Sequence, residues 1–508
     1  MSIARETRAH SAGIGQNTAG QWWQMLALLA VFVVLWTVYP VMTRLNLDPY
    51  GDMLENFAWG IGWQWGYFKH PPFFAWTTAA WFEVFPRADW AYYLLSAVNA
   101  ALAVFLSWRI ALRFLDPWRS LLAAALFFFL PPTTFLATKF NANSALLPLW
   151  PLIVLFYLRF LENRKLSDAL ILGVAAAIGM LTKYFTAVLL LPIVLHILFD
   201  REARSLLRTP TTWIAAAIFL VALVPHFGWL VEMDFLPITY AASQGDGHVL
   251  DGVTSGIRFL GALILYALPM VLILYIAFLR NRVGGKRFVD RSGLQLFRDT
   301  VAGRALAWTT FGSIIVTLII GIVLGTRLSS VWGLPMFFAV PIFLLAAIPG
   351  GALEARRDVI PVIVAIFCSA LIAATPFVLY LGVSEEKHYS HVPVEAAADA
   401  LEVAWSRHTN APLMYVAGDK VLSSGASFYG KSKPYSFIDN SFAKTPWIKP
   451  EDIARHGMAI ACLADQAVCE QSLESFPVEF SETETVSVLD ATGKEWTVKL
   501  HFALPENG

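Results

Sequence analysis

Residues 22–42, WWQMLALLAVFVVLWTVYPVM, form an apolar run as long as one bilayer crossing, for which about 20 residues are needed. The 21 residues before it are polar and carry Arg5 and Arg8, and no small-residue cleavage site follows. The run therefore reads as a retained first helix behind a cytoplasmic tail, residues 1–21. Further apolar runs follow at Asp89 to Phe114, Trp118 to Ala137, Ser144 to Leu161, Ser167 to Thr182 and Tyr184 to Phe199. Five more lie at Thr212 to Val231, Gly256 to Leu279, Ala305 to Gly325, Gly333 to Ile348 and Ile360 to Leu381. The chain reads as a polytopic α-helical membrane protein of about eleven transmembrane helices, several of them short.

Composition agrees. Of 508 residues 57% are hydrophobic and 15% charged, with a mean hydropathy of +0.59, too apolar for a soluble chain of this length. Net charge is zero and no long basic tract occurs, so nucleic acid is excluded as a partner. The 19 Trp, 15 Tyr and 37 Phe suit a bilayer interface.

Lys and Arg are retained on the cytoplasmic side of short loops. With the N-terminus inside, the inner connections hold Arg109, Arg113 and Arg119, then Arg164 and Lys165, then Arg201, Arg204 and Arg208, then RNRVGGKRFVDR and finally Arg356 and Arg357. An odd helix count puts the chain after Gly382 outside. That segment, residues 382–508, contains alternating stretches such as VSVLD and WTVKLHF and reads as a small extracytoplasmic α/β domain. Cys462 and Cys469 fall within it, and in that compartment they are expected to bridge; free thiols are the alternative. Ionisable residues gather at the outer rim: Asp48, Asp52, Glu55, Lys69, His70, Lys139, Lys183, Asp234, Arg258 and Arg327. No helix centre carries a clear charge and no inverted repeat of broken helices occurs.

The first outer loop, residues 43–88, contains LDPYGDMLENFAWGIGWQWGYFKHPPFFAW. Met53, Phe57, Ala58 and Ile61 recur at helical spacing, which predicts a short helix in the interface plane anchored by Trp59, Trp63 and Trp65. Asp52 stands in its first turn with Glu55 on the same face. A carboxylate there either caps the helix or accepts a proton from an acceptor hydroxyl.

The order of an acidic residue, a short aromatic helix and GYFKHPPFFAW resembles the first outer loop of GT-C glycosyltransferases. Their bacterial members include lipid A aminoarabinose transferases and lipopolysaccharide galacturonosyltransferases, and protein O-mannosyltransferases share the pattern. Many bacterial members read DEAYYW followed by GYFDHPPL; here Asp52 falls on the first acid and Met53 replaces the second, with Glu55 available to compensate. TKFNANSALLPLW (residues 138–150), GMLTKYFTAVLLLP (179–192), RFLGALILYALP (258–269) and LSSVWGLPMF (328–337) resemble later family segments in the same order. Where many relatives carry Asp in a TPDAPL-like run, this chain has Asn143.

The resemblance implies a GT-C fold, with residues 22–381 as catalytic membrane domain and Asp52 as general base. It also implies an inverting transfer from a polyprenyl-phosphate sugar donor to a periplasmic acceptor, lipopolysaccharide core or lipid A, at a bacterial inner membrane. Cations at interface depth would stabilise the leaving phosphate, and Lys69, His70, Lys183, Arg258 and Arg327 are the candidates. Aminoarabinose transferases place a Lys before the Pro-Pro pair; here that position is His70, with Lys69 beside it. For each cation, snorkelling to lipid headgroups is the alternative. Lys139, Asn141, Asn143 and Tyr67 are candidates for sugar or acceptor contacts, and Lys139 with the two Asn residues points to an anionic sugar such as galacturonate. An Asn before a helix is also an ordinary cap.

His196 and His226 lie in apolar helices and read as packing residues. No metal-ligand spacing, GxxxxGK or GxGxxG after a strand occurs, so neither a metal nor another cofactor is expected; the lipid-linked donor is a substrate. A monomer in the bilayer is expected. A flippase for lipid-linked sugars and a protein O-glycosyltransferase are the competing readings. The flippase predicts polar groups along a path through the bilayer, whereas the sequence shows them on one side.

Overall fold

The computed structural model describes residues 18–243, 248–279, 291–349, 359–384, 390–464 and 466–506. Arg5, Arg8, most of RNRVGGKRFVDR, and Arg356 and Arg357 lie outside the described residues.

Each of the apolar runs is helical. In chain order the labelled helices are α1 (Thr18–Thr43), α2 (Asp52–Gly60), α3 (Phe73–Phe82), α4 (Asp89–Ala111), α5 (Pro117–Leu126), α6 (Leu146–Asn163), α7 (Leu166–Thr182), α8 (Ala187–Phe199), α9 (Pro210–Glu232), α10 (Val249–Leu279), α11 (Val301–Leu324), α12 (Val359–Ala373), α13 (Thr375–Ser384), α14 (Val394–His408) and α15 (Lys420–Tyr429). Among the described residues six helices are long and apolar enough to cross a bilayer, or seven if α12 and α13, bent by 43°, form one span. Four shorter apolar helices, Pro117–Phe129, Leu166–Thr182, Tyr184–Phe199 and Ser330–Ala346, complete the set. At about 1.5 Å per residue a helix of fewer than 18 residues falls short of a ~30 Å hydrocarbon core, so length alone supports six or seven full spans.

Small residues let the helices approach closely. A Cβ at Gly173 in α7 would lie 2.5 Å from the Ala215 carbonyl oxygen of α9, and one at Gly252 in α10 would lie 2.4 Å from that of Gly321 in α11.

The C-terminal region is an α/β unit. Its strands, β1 (Tyr415–Gly418), β2 (Tyr435–Ser436), β3 (Met458–Leu463), β4 (Glu482–Leu489) and β5 (Glu495–Ala503), form one sheet in the order β2-β1-β3-β5-β4. β1 runs parallel to β2 and β3, whereas β5 is antiparallel to β3 and β4. β3, MAIACL, is buried along its whole length, as a central strand covered on both faces must be. The stretches read as strands from alternation, VSVLD and WTVKLHF, are β4 and β5, and Cys462 is bridged to Cys469.

This unit docks on the 43–88 loop through a shared hydrophobic core. Met53, Phe57, Trp59, Tyr67 and Phe74 of the loop pack in one cluster with Trp405, Val421, Phe428 and Leu500. Phe428 is fully buried, its ring 5.2 Å from Phe57, 5.1 Å from Phe82 and 5.6 Å from Tyr92. Arg87 Nη1 donates to the Phe428 and Gly430 carbonyls at 2.8 and 2.6 Å, and Tyr429 donates to Asp89 at 2.6 Å.

The short helix predicted in the loop is present as α2, but Trp59 is no membrane anchor. It is 5% exposed and stacks on Tyr67 at 5.3 Å, with Phe74 at 6.2 Å, inside the core that the loop shares with the C-terminal unit. Trp63 and Trp65 remain exposed.

Candidate active site

The site begins at the first turn of α2. Asp48, not Asp52, supplies the cap: its Oδ1 accepts from the Tyr50 and Asp52 amides at 2.9 and 3.2 Å, and its Oδ2 from Met53 at 2.8 Å. Gly51 makes this turn at φ 70°, a left-handed conformation that favours glycine. Two further bonds fix the helix, Tyr92 Oη to the Met53 carbonyl at 2.6 Å and Asn56 Nδ2 to the Phe140 carbonyl at 2.5 Å. With the helix amides already served, the Asp52 carboxylate is left to pair with a side chain from another segment.

That partner is Lys139, whose Nζ lies 2.7 Å from Asp52 Oδ2. Lys69 Nζ lies 3.2 Å from Glu55 Oε1. A third lysine, Lys420 at the start of α15, reaches Glu55 Oε2 at 3.3 Å and Asp52 Oδ1 at 3.7 Å. Burial pushes the Asp52 carboxyl up, but Lys139, Lys420 and the Asn141 amide outweigh it and hold it below its ordinary value. Burial likewise lowers Lys420, and Glu55 and Asp52 more than offset this and raise it. Both shifts favour the charged forms of Asp52 and Lys420.

His70 and Lys183 lie next to it. The turn that presents His70 is closed by the Tyr67 amide donating to the His70 carbonyl at 3.0 Å, after which the two prolines lead into α3, with Pro72 as its N-cap. Gly66 allows this turn to sit on α9: a Cβ there would lie 2.3 Å from Trp229 Cζ3. Burial, then Lys183 and Lys69, push the His70 imidazole down to about 3, so it is neutral at pH 7. Lys183, between α7 and α8, donates to Asn143 Oδ1 and sits over the rings of Trp332 at 5.1 Å and Phe185 at 5.9 Å. It makes no ion pair among the described residues, and burial lowers it to about 7.

The structure thus brings together Asp52, Glu55, Lys69 and Lys139, and separately Lys183 with Asn143. Asn141 behaves partly as a cap, its Oδ1 accepting from the Asn143 and Ser144 amides at 2.9 and 3.2 Å. Tyr67 is fully buried between Trp59 and Trp447, so its ring is part of the shared core and not of an open face. Arg258 and Arg327 lie exposed where the start of α10 meets the segment after α11, a junction closed by the Leu328 amide donating to Ser255 Oγ at 2.6 Å. His226 bonds Tyr184 Oη at 2.7 Å and the Trp65 carbonyl at 2.5 Å, and His196 bonds Tyr157 Oη at 2.7 Å. Both are packing residues; His226 has both ring nitrogens bonded, whereas His196 Nε2 has Asp200 Oδ2 at 3.6 Å and no hydrogen bond. Among the described residues no group of three or more His, Cys, Asp or Glu could hold a metal.

Lys420 escaped the sequence reading. Its only local signal is GDKVL, an Asp that caps a helix with Lys at the first helical position; Asp419 does accept from the Val421 amide at 3.0 Å.

A helical membrane body whose ion cluster is roofed by a small α/β domain is the GT-C architecture. The whole chain superposes on ArnT from Cupriavidus metallidurans, solved bound to undecaprenyl phosphate, with a TM-score of 0.61 over 95% of this chain and 98% of that one, at 15% identity. Residues 69–229 match the dolichyl-phosphate-mannose-protein mannosyltransferase family. The lipopolysaccharide core galacturonosyltransferase RgtB of Rhizobium johnstonii is 26% identical over 421 residues, 78% of this chain and 80% of the relative. The lipid A galacturonosyltransferase RgtD of the same organism is 25% identical over 212 residues, 41% of this chain and 43% of the relative. The likeness to GT-C superfamily glycosyltransferases read from the loop motifs is borne out by these relatives, and the chain is a multi-pass membrane protein with the fold of ArnT.

Proposed function

We propose that the protein transfers an anionic sugar, galacturonate, from a polyprenyl-phosphate donor to lipopolysaccharide core or lipid A on the periplasmic face of a bacterial inner membrane. One observation carries the reading: three lysines, Lys69, Lys139 and Lys420, surround the two carboxylates Asp52 and Glu55, with Lys183 close by. Asp48 adds a third carboxylate behind them, its oxygens accepting from three helix amides and its charge still acting on Lys420, so four lysines face three carboxylates. The excess of positive charge suits a substrate that carries both a phosphate and a uronate. The curated relatives named above are galacturonosyltransferases, which supports the same sugar.

In this reading the ionised Asp52 takes the proton of the acceptor hydroxyl as its oxygen attacks the anomeric carbon. The bond to the lipid phosphate breaks on the opposite face, which inverts the centre. Charge growing on the phosphate is met by Lys69 and Lys183, and the neutral His70 imidazole can donate one N–H to it. Lys183, held near neutrality by burial, gains its full charge when an anion arrives. Lys139 and Asn141 frame the sugar side. The activated donor supplies the driving force, so the scheme needs no metal or nucleotide, and a single chain in the bilayer suffices.

The test is the mass of envelope glycolipids from cells with the intact protein, a deletion, and Asp52→Asn shown to insert normally. Loss of one hexuronate mass from lipopolysaccharide or lipid A in both altered strains is the expected result. Loss of a hexose mass instead would overturn the galacturonate assignment. Loss from envelope proteins would point to a protein acceptor, and a lipid-linked sugar accumulating without mass loss in the Asp52→Asn strain would point to a flippase.

A further inference from the structure

The lysines of the cluster are not equivalent. Lys139 pairs with Asp52 and Lys69 with Glu55, each at the end of its own segment of the membrane domain. Lys420 comes from the C-terminal unit and meets both carboxylates, at 3.7 and 3.3 Å. Its Nζ also donates to the Tyr50 carbonyl at 3.4 Å.

The helix that carries it is fixed from three directions. Asp419 caps α15, and the Asp419 amide donates to the Ala461 carbonyl of β3 at 2.8 Å. Val421 packs directly on Gly51, where an added Cβ would lie 3.1 Å from Val421 Cγ2. Two helix N-termini therefore converge on one point, with Asp52 as the first residue of one and Lys420 as the first of the other. Asp52 and Glu55 are three residues apart on one helix face, and two like charges so placed repel; a cation shared between them lets both stay ionised.

We propose that Lys420 is a positioning residue supplied by the C-terminal domain, bridging Asp52 and Glu55 so that both remain ionised and Asp52 stays aimed at the acceptor hydroxyl. The catalytic site is then complete only with that domain docked. The inference rests on the transferase reading for what Asp52 does, but the bridge itself is a property of the resting protein. The charged and titratable groups facing Asp52 are Lys139 from the segment before α6, Lys420 from α15, His70 from the 43–88 loop and Tyr92 from α4; Glu55, paired with Lys69, stands on the same helix as Asp52, with Asp48 behind.

The experiment uses the full chain in lipid nanodiscs with 13C-carboxyl aspartate and glutamate, followed by infrared titration, beside transfer assays with polyprenyl-phosphate galacturonic acid and lipopolysaccharide across pH. In Lys420→Met the earliest carboxylate titration that depends on Asp52 is expected to move to higher pH. The acidic limb of kcat should move with it, with KM for the donor little changed. Lys420→Arg should restore both. Lys420→Gln serves if the Met variant does not insert. An unmoved titration, or a uniform fall in kcat with no change in its pH dependence, would overturn the bridge. Absence of transfer by the unaltered protein would count against the galacturonate reading, and the infrared titration would still decide the role of Lys420.

Discussion

Lys139 Nζ donates to Asp52 Oδ2 at 2.7 Å across 87 residues of chain, joining the helix of the 43–88 loop to the segment that opens α6. The contact removes the capping reading of Asp52. A capping aspartate spends its oxygens on helix amides; here Asp48 does so, and Asp52 is left ionised beside a lysine.

Asp52→Asn is expected to reduce transfer by about 100-fold or more, the usual range for loss of a general base. Because Asp52 and Lys139 keep 32% and 25% of their side-chain surface exposed, stability should change by no more than about 1 kcal/mol. The melting temperature of the detergent-solubilised variant checks the second half. The folded carboxyl lies below its ordinary value, so its pairing contributes stability above the unfolded value and loses it as pH falls through the folded one. Activity should accordingly persist into acid beyond the range of an ordinary aspartate.

Asp48→Ala removes the acceptor of three amides at the start of α2. The expected cost is about 2 kcal/mol, and kcat should fall because Asp52 is no longer held. Asp48→Asn, which keeps one acceptor oxygen, should lie between. Thermal unfolding and donor turnover, measured on the same samples, separate the two effects.

Lys183→Met should behave in the opposite way for stability and for substrate. A buried lysine lowered to about 7 penalises the folded state below that pH, and the penalty is relieved as pH rises towards the unfolded value. The substitution should therefore leave the melting temperature at pH 7 unchanged or raised, and flatten its rise above pH 7. Donor KM should increase by about tenfold or more, since a charge-assisted bond to phosphate is lost. An unchanged KM would remove Lys183 from the donor site.

Phe428→Ala empties a pocket shared by Phe57, Phe82 and Tyr92 and is expected to cost about 3–5 kcal/mol. The damage should be local to the docking of the C-terminal unit. Limited proteolysis should cut the C-terminal unit, residues 390–506, at lower protease concentrations, and transfer should fall with it.

The sequence by itself determined the membrane class, because a bilayer span demands a continuous apolar run and nothing about its partners. Alternation likewise marked β4 and β5, since one face of an antiparallel edge pair meets water. It also delivered the cluster members that lie within short, distinctive segments, Asp52, Glu55, Lys69 and Lys139, through motifs whose order resembles a known superfamily. The tertiary structure alone decided what those residues face. Trp59 and Tyr67 are indistinguishable in sequence from interface aromatics, and they are buried in a core that the loop shares with the distant C-terminal domain, Tyr67 against Trp447. His70 and Lys69 are adjacent and equally plausible phosphate ligands on paper; burial and the neighbouring Lys183 suppress the imidazole charge, while Lys69 pairs with Glu55. Lys420 carries no motif at all. Its place between two carboxylates follows from how α15 docks on α2, and electrostatic pairing depends on distance in space, which residue order does not encode.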